Sequence, residues 1–330
     1  MKTQSIENEF GVTCKWSKGR TRLLTVATVA AGALLLCNLI NHATAAGAAN
    51  ACQKTAADAL TACQAGAQND YNVAVGKCVN ISDPAARKDC QKQAATDLAD
   101  AQQTCKDGFA SRQAACQKLG PAPYDPVIDP ANFVGPIDNP YFPLVPGTTF
   151  IYGGQTSQGF SRDVFAVTHN TRVIDGVTCV EVHDSVFTSG VLTEDTLDWF
   201  AQDKEGNVWY FGENTGELVD GLISTIAGTF MGGVNGDKPG IIMKAHPAVG
   251  DFYRQEFALA NAEDNALTLS LTESVTVRFG SFNHCLKSQE TTPLEPLLLE
   301  DKFFAPGVGN ILTVDEITGE TSELVQVITK

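Results

Sequence analysis

The fold of this chain is decided by the segment from Cys52 to Cys116, which reads CQKTAADALTACQAGAQNDYNVAVGKCVNISDPAARKDCQKQAATDLADAQQTCKDGFASRQAAC. Its six cysteines are arranged symmetrically about Pro84, so that the first mirrors the last and each inner one mirrors another. The segment is rich in Ala and Gln and poor in β-branched residues, which favours helix. We therefore expect two helices that meet at Pro84.

Disulfides are expected only between these two helices. Neighbouring cysteines within one half are 11 or 15 residues apart, which separates them by about 16 or 22 Å along a helix. A disulfide requires Cα atoms within about 7 Å of each other. Mirror-image positions meet in an antiparallel hairpin, so the sequence predicts a helical hairpin over residues 46–119 with three nested bridges, Cys52–Cys116, Cys63–Cys105 and Cys78–Cys90.

The spacing of the cysteines argues against metal and redox sites. None of the ten cysteines forms a Cys-x-x-Cys pair, and that pair is typical of zinc sites and of thioredoxin-like redox sites. We predict no metal and no cofactor. Because disulfides persist in oxidising compartments, the hairpin indicates an exported protein.

The first 45 residues have the features of a secretory signal peptide. Basic residues precede an apolar run from Leu23 to Ile40, and Ala43-Thr44-Ala45 forms a small-x-small cleavage site. An uncleaved anchor is the alternative, because a run of 18 residues lies near the lower limit for a membrane span. We expect a periplasmic or extracellular protein that meets a membrane only through this leader, if the leader is uncleaved.

Negative charge is concentrated beyond the hairpin. Residues 46–120 carry 8 Lys and Arg against 7 Asp and Glu, a net charge of +1, whereas residues 121–330 carry 10 against 29, a net charge of −19. Nucleic acids and anionic membrane surfaces require basic patches, so we predict neither as a partner. The acidity permits cation binding, but solubility is the simpler interpretation.

The rest of the chain divides into a linker and a β domain. Residues 120–146 contain eight prolines and are expected to form an extended, semi-rigid linker. Residues 147–330 alternate short β-rich runs with turns, among which Asp175-Gly176 is the strongest hairpin signal. The predicted fold class is α+β by segments, a disulfide-linked antiparallel α-hairpin followed by a mainly antiparallel, curved β-sheet or barrel-like acidic domain.

Three motifs in the β domain carry a resemblance. Residues 198–213 read DWFAQDKEGNVWYFGE, residues 293–296 read PLEP, and residues 303–309 read FFAPGVG. Over about residues 130–330 the chain resembles an uncharacterised family of bacterial exported β-rich domains, which has no assigned activity and therefore implies no catalytic residue. More distantly it is similar to the curved half-barrels that carry lipoproteins or lipids in bacterial envelopes.

Two groups of residues are candidate sites in the β domain. Large aromatic side chains either fill a barrel or line a ligand cavity, and five of them form the predicted ligand-binding set, Trp199, Phe200, Trp209, Tyr210 and Phe211. Cys179 and Cys285 are the only cysteines of this domain, and in an exported chain we expect them to form a fourth disulfide, Cys179–Cys285.

Hydrolase signatures are weak. The adjacent residues His183, Asp184 and Ser185 are not spaced like a catalytic triad, and no Gly-x-Ser-x-Gly motif occurs. The carboxylate pairs Glu194/Asp195 and Glu300/Asp301 permit a glycosidase interpretation, although acidic residues are abundant throughout.

We therefore predict a non-enzymatic, exported binding or carrier protein with an apolar-lined β domain and a rigid helical arm, and no catalytic residues. Its expected partner is an apolar small molecule or an envelope protein. A structural or protein-interaction component of the cell envelope is the first alternative, and a carboxylate-dependent hydrolase is the second.

Overall fold

The structure, a computed structural model, describes residues 51–329, and these residues belong to one compact unit. The predicted signal peptide, residues 1–45, lies outside them. Two helices come first, α1 (Ala51–Cys78) and α2 (Pro84–Leu119). None of the helices within the described range is both long and apolar enough to cross a membrane.

The helices form the predicted antiparallel hairpin. All three nested bridges are present, Cys52–Cys116, Cys63–Cys105 and Cys78–Cys90, with Cα atoms 5.6–5.7 Å apart. Asp83 caps α2, because its carboxylate accepts a hydrogen bond from the Ala86 backbone N–H at 2.7 Å, and Pro84 occupies the first turn. Apart from the cysteines, the residues buried along α1 are alanines, so small side chains allow the close helix approach that the bridges require.

Sixteen strands follow the hairpin. They are β1 (Phe133–Val134), β2 (Thr148–Thr156), β3 (Gly159–Ile174), β4 (Val177–Thr188), β5 (Val191–Asp203), β6 (Val208–Val219), β7 (Leu222–Thr225), β8 (Phe230–Met231), β9 (Lys238–Met243), β10 (Phe252–Arg254), β11 (Glu256–Phe257), β12 (Asn265–Val277), β13 (Gly280–Thr291), β14 (Glu300–Ala305), β15 (Gly309–Asp315) and β16 (Thr321–Thr329). Asp175-Gly176 forms the predicted tight turn between β3 and β4, with φ angles of 49° and 79°.

All the strand pairs of the described sheet are antiparallel. The strands follow the order β10-β12-β13-β14-β15-β16-β2-β3-β4-β5-β6-β9-β11. Outside this order, β1 pairs with β5, and β7 and β8 pair with β6. The sheet is nearly closed into a barrel, and the predicted fold class is confirmed. Its first and last strands, β10 and β11, are consecutive along the chain and are separated only by Gln255, which is buried.

The linker packs on the sheet along its second half. Residues 130–132 form a 3-10 helix, and β1 pairs with the end of β5. Ile137 and Leu144 are buried in the core. The Asn139 side-chain amide donates hydrogen bonds to the carbonyl oxygens of Gly206 at 2.8 Å and Lys244 at 3.1 Å. The linker therefore closes one end of the sheet against the loops beside it.

The helical hairpin docks on the sheet through a buried ion pair. The Arg112 guanidinium contacts the Glu263 carboxylate at 2.5 Å, with side chains that are 10% and 1% exposed. Gly108 lies so close to the Pro293 carbonyl oxygen that a Cβ there would approach it to 2.6 Å. Lys118 lies over the ring of Phe252 in β10, 4.6 Å from its centroid.

The predicted Cys179–Cys285 disulfide is wrong. Both thiols are free and buried. Cys179 lies in β4 and packs with the smaller core cluster, whereas Cys285 lies in β13 and packs with the larger one. Five strands separate β4 from β13 along the sheet. The export argument indicated that two cysteines could pair, but strand order, which the sequence did not reveal, keeps them apart.

Candidate functional site

The interior of the curved sheet holds a cavity of about 910 Å³. This volume lies in the range of about 300–1,000 Å³ that is typical of small-molecule sites. Side chains from most of the long strands line it, and Phe142, Pro143 and Leu144 of the linker contribute to one end.

Strand β5 shows how the sheet positions these side chains. Glu194, Thr196, Asp198 and Phe200 all line the cavity. They are two residues apart because successive side chains of a strand point to opposite faces. The intervening Trp199 is 1% exposed and packs in the smaller core cluster on the outer face.

The structure separates the five predicted ligand-binding aromatics into two groups. Phe200 and Tyr210 line the cavity, whereas Trp199, Trp209 and Phe211 do not. These three belong to the smaller cluster, in which they pack against the linker. Placing them inside the sheet was wrong, because the sequence pattern gives two alternating sets of residues without saying which set faces inward.

The inward-facing aromatics form a continuous wall. The rings of Phe200 and Tyr210 are stacked, with centroids 4.8 Å apart and an interplanar angle of 14°. Phe142 packs at 5.4 Å from Phe200, and Phe230 packs edge-on at 5.3 Å from Tyr210. Phe142, Phe200 and Tyr210 line the cavity, whereas Phe230 supports Tyr210 from behind the lining.

The remaining lining is strongly acidic, so the prediction of an apolar-lined domain needs correction. The lining residues include eleven carboxyl groups, those of Asp163, Asp184, Glu194, Asp198, Glu213, Glu217, Glu256, Asp264, Glu290, Glu295 and Glu300. Lys302 is the only cation among the lining residues of the described chain. More than a third of the 29 carboxyl groups of residues 121–330 therefore line the cavity, and all of these except Glu217 and Glu295 are buried or half-buried.

Asp163 and Asp184 form a carboxyl pair on neighbouring strands. They belong to β3 and β4, and both line the cavity. The Oδ1 atom of each residue is shielded from solvent and accepts no hydrogen bond from any described residue. Burial is the main reason that the pKa of Asp163 rises from 3.8 to about 6, and burial together with the negative charge of Asp163 raises the pKa of Asp184 well above its ordinary value.

A second carboxyl cluster surrounds the hydroxyl of Tyr210. This hydroxyl lies 2.5 Å from Asp198 Oδ1 and 2.7 Å from Glu213 Oε2. One hydroxyl hydrogen cannot serve both oxygens, so the second contact needs a proton on a carboxyl group, which then donates to the phenol oxygen. Burial raises the pKa of Glu213 from 4.5 to about 7 and raises the pKa of Asp198 well above its ordinary value.

Lys302 is already engaged by its own partners. Its Nζ lies 2.7 Å from Glu290 Oε2 and 3.6 Å from Glu300 Oε2. Burial opposes its charge, but these carboxylates outweigh the burial and hold the pKa of Lys302 above its ordinary value. The other oxygen of Glu290 accepts a hydrogen bond from the Gln255 side chain at 3.0 Å. Lys302 therefore neutralises its own neighbours, and no other cation among the lining residues of the described chain pairs with the Asp163 and Tyr210 clusters; Arg162 and His183 act on Asp163 and Asp184 only from outside the lining.

The carboxyl groups are not arranged as a metal centre. Across residues 51–329, no group of three or more His, Cys, Asp or Glu side chains is placed to hold a metal ion. The carboxyl groups that surround the cavity are instead distributed over its wall.

The residues considered for hydrolysis are not assembled into a catalytic arrangement. Glu194 and Glu300 face the cavity but their neighbours Asp195 and Asp301 do not. On the outer surface, Asp195 and Ser185 approach the same nitrogen of His183, Nε2, at 2.7 and 3.3 Å. A Ser-His-Asp triad needs the carboxylate on the opposite ring nitrogen from the serine.

The acidic lining was missed in the sequence, although one signal for it is present. On β5, alternate positions carry Glu194, Asp198 and the aromatic Phe200 on one face. A face that mixes acids with aromatics at period two is unusual for a solvated surface. The overall charge of the domain was instead interpreted as a device for solubility, and only strand closure shows which face is inside.

No family model matches the chain, and no curated protein matches it. A solved structure of a provisionally assigned lipoprotein from Parabacteroides distasonis is similar at 15% sequence identity and a TM-score of 0.28, and the match covers 57% of this chain and 97% of that one. A TM-score this low carries no argument. The resemblance of residues 130–330 to exported β-rich domains stays a prediction.

Proposed function

We propose that this chain is an exported, non-enzymatic protein that binds a small molecule inside its β domain. The observation that carries the proposal is the cavity of about 910 Å³ inside the nearly closed sheet. A concave pocket of this size, lined by converging side chains, is typical of a small-molecule site. Three disulfides fit an oxidising compartment.

The lining supports binding more than catalysis. It combines the aromatic wall of Phe200 and Tyr210 with polar groups that remain partly unsatisfied. Such a mixture orients a ligand through a few polar contacts and holds it through apolar area. Within each candidate pair for hydrolysis, Glu194/Asp195 and Glu300/Asp301, only the glutamate faces the cavity, so neither pair can flank one bond there.

A role in protein interaction is the second candidate, and the helical hairpin favours it. Of the 28 residues of α1, only Cys52, Ala56, Ala59 and Cys78 are buried. The hairpin is thus a long, cross-linked element with most of its surface free of the sheet. An envelope protein is the partner that this arm would contact.

Native mass spectrometry of the protein purified from its own host tests the proposal. A mass excess that is present under native conditions and lost on denaturation supports a bound small molecule. A bare mass six hydrogen atoms below that of the reduced chain, as three disulfides require, counts against a tightly held ligand. A bare mass accompanied by a second protein that co-purifies through the hairpin would favour the interaction role.

A further inference from the structure

We propose that the cavity binds an organic cation, namely a small amine whose ammonium groups contact the buried carboxylates and whose hydrocarbon part lies on the aromatic wall. This inference rests on the proposed binding function and adds the chemical class of the ligand.

The first argument is an imbalance of charge inside the sheet. Eleven carboxyl groups line the cavity, and the single cation, Lys302, is paired with Glu290 and Glu300. An unpaired buried carboxylate is costly because it loses its hydration without gaining a partner. A cationic ligand would supply the missing partners, whereas an anionic ligand would increase the repulsion.

The second argument is an oxygen pair that lacks a donor. Oδ1 of Asp163 and Oδ1 of Asp184 are shielded from solvent and have no donor-bearing partner among the described residues. An ammonium N–H donates to such a pair while also neutralising it, and these charge-assisted hydrogen bonds are the strong ones in proteins.

The third argument comes from the Tyr210 cluster, in which one hydroxyl hydrogen lies between two carboxyl groups. The hydroxyl of Tyr210 lies between Asp198 and Glu213 but can donate to only one of them. A second ammonium group would satisfy the remaining carboxylate. Because the two clusters are different groups that lie within electrostatic range of each other, an amine with two charged ends can serve both.

The distribution of the carboxyl groups distinguishes an organic cation from a metal ion. No group of three potential ligands in the described chain is placed to hold a metal, and Ca²⁺ needs six to eight oxygen atoms around one point. Phe142, Phe200 and Tyr210 supply aromatic surface to the lining, and such surface covers apolar chains and attracts ammonium groups. A metal ion would leave this wall unused.

Isothermal titration calorimetry with three matched probes tests the charge of the ligand. Hexamethylenediamine, hexanediol and adipate share a six-carbon chain and carry positive, neutral and negative ends. We expect the diamine to bind with one site per chain and the diol and dicarboxylate to give no measurable heat. Equal binding of the diol would overturn the proposal, and so would displacement of the diamine by equimolar CaCl₂.

Two isosteric variants test the location. Asp184→Asn removes a cavity carboxylate and should weaken diamine binding by about 10-fold or more, since hydrogen bonds to charged groups are worth about 1.5–3 kcal/mol. Asp195→Asn removes a charge from the outer face of the neighbouring strand and should change binding by less than about threefold, because exposed charges are screened. Equal effects of the two substitutions would contradict the proposed site.

The variant Asp184→Asn is suited to this test because it should fold. Burial opposes the charge of Asp184, so a neutral side chain of the same shape removes an unfavourable interaction. A loss of binding with a preserved thermal transition therefore reports on the site.

Failure of this inference can be told from failure of the proposed function. If native mass spectrometry finds a retained neutral or anionic molecule, the cation is refuted while the binding function stands. If no mass is retained and none of the three probes binds, both are refuted.

Discussion

The buried ion pair between Arg112 of the hairpin and Glu263 of the sheet should be the main polar contribution to docking of the hairpin. Arg112 Nε donates to Glu263 Oε2 at 3.0 Å, and Nη2 donates to Oε1 at 2.5 Å. Arg112→Met keeps much of the apolar stem and removes the charge. Glu263, at 1% exposure, then keeps the Ala260 backbone N–H at 2.8 Å as its hydrogen-bond donor and the charge of nearby Arg254, with which it has no hydrogen bond.

The expected cost follows from that geometry. Removing one partner of a buried ion pair typically destabilises a protein by about 3–5 kcal/mol, because the other charge stays buried without compensation. The double variant Arg112→Met/Glu263→Gln should recover most of this loss, since Gln is neutral and can still accept from Ala260. Lys54→Met is the control, because Lys54 and Asp58 form a pair that is 75% and 61% exposed and worth about 0–1 kcal/mol.

Urea unfolding followed by both tryptophan fluorescence and helical circular dichroism measures these differences. We expect the midpoint of Arg112→Met to fall in both signals. The reasoning is refuted if Arg112→Met costs no more than Lys54→Met, or if the double variant is as unstable as the single one.

Three further predictions follow from the buried carboxyl groups, a tight strand crossing and the free thiols. Burial raises the pKa of Asp163 to about 6 and that of Glu213 to about 7. The folded state therefore keeps protons that the unfolded state releases. The stability that these two groups contribute is complete below about pH 4 and is lost as pH rises through about 6–7. The rise in the pKa of Glu213 from 4.5 to about 7 corresponds to about 3 kcal/mol of stability. The melting temperature of Glu213→Gln should therefore depend less on pH than that of the unmodified protein. An unchanged pH dependence would count against the cluster. Gly154→Ala places a Cβ 1.6 Å from the Thr321 carbonyl oxygen and should destabilise the β2–β16 pairing by about 3 kcal/mol or more, whereas the control Gly66→Ala, in open space on α1, should be neutral or stabilising by up to about 1 kcal/mol in urea unfolding. In a chain that begins at residue 46, a thiol reagent should find no reactive cysteine in the native protein and two after denaturation without reductant, because Cys179 and Cys285 are free and buried; fewer than two would indicate a fourth disulfide.

The hairpin could be predicted in detail because covalent geometry left few alternatives. Helical rise and disulfide length together exclude bridges within one helix, and the symmetry about Pro84 then pairs each cysteine with its mirror image. The cap at Asp83 and the turn at Asp175-Gly176 were also readable, because local backbone conformation determines the residues that such positions accept.

The cavity could not be predicted, because its lining depends on strand order and on which face closes inward. Trp199 and Phe200 are neighbours of similar size, yet one packs outside and the other lines the interior. A register shift between β5 and β6, opposite Trp199 and Phe200, changes the alternation along β6, so that Tyr210 and Glu213 both face the cavity although they are three residues apart. An irregularity of this kind leaves no clear pattern in a single sequence.

The short connection at Gln255, between the first and last strands of the sheet, has a consequence for self-association of the protein. A long open sheet normally presents two edges whose free N–H and C=O groups can recruit another chain and start aggregation. Here both terminal strands are very short, β10 with three residues and β11 with two, and they are tied together by a single buried residue. Lys118 of the hairpin also covers Phe252 on β10. The cross-linked helices therefore shield this terminal strand of the sheet. We therefore expect reduction of the three disulfides to expose the edge of β10. Self-association of the reduced protein should then be detected before its helical signal is lost.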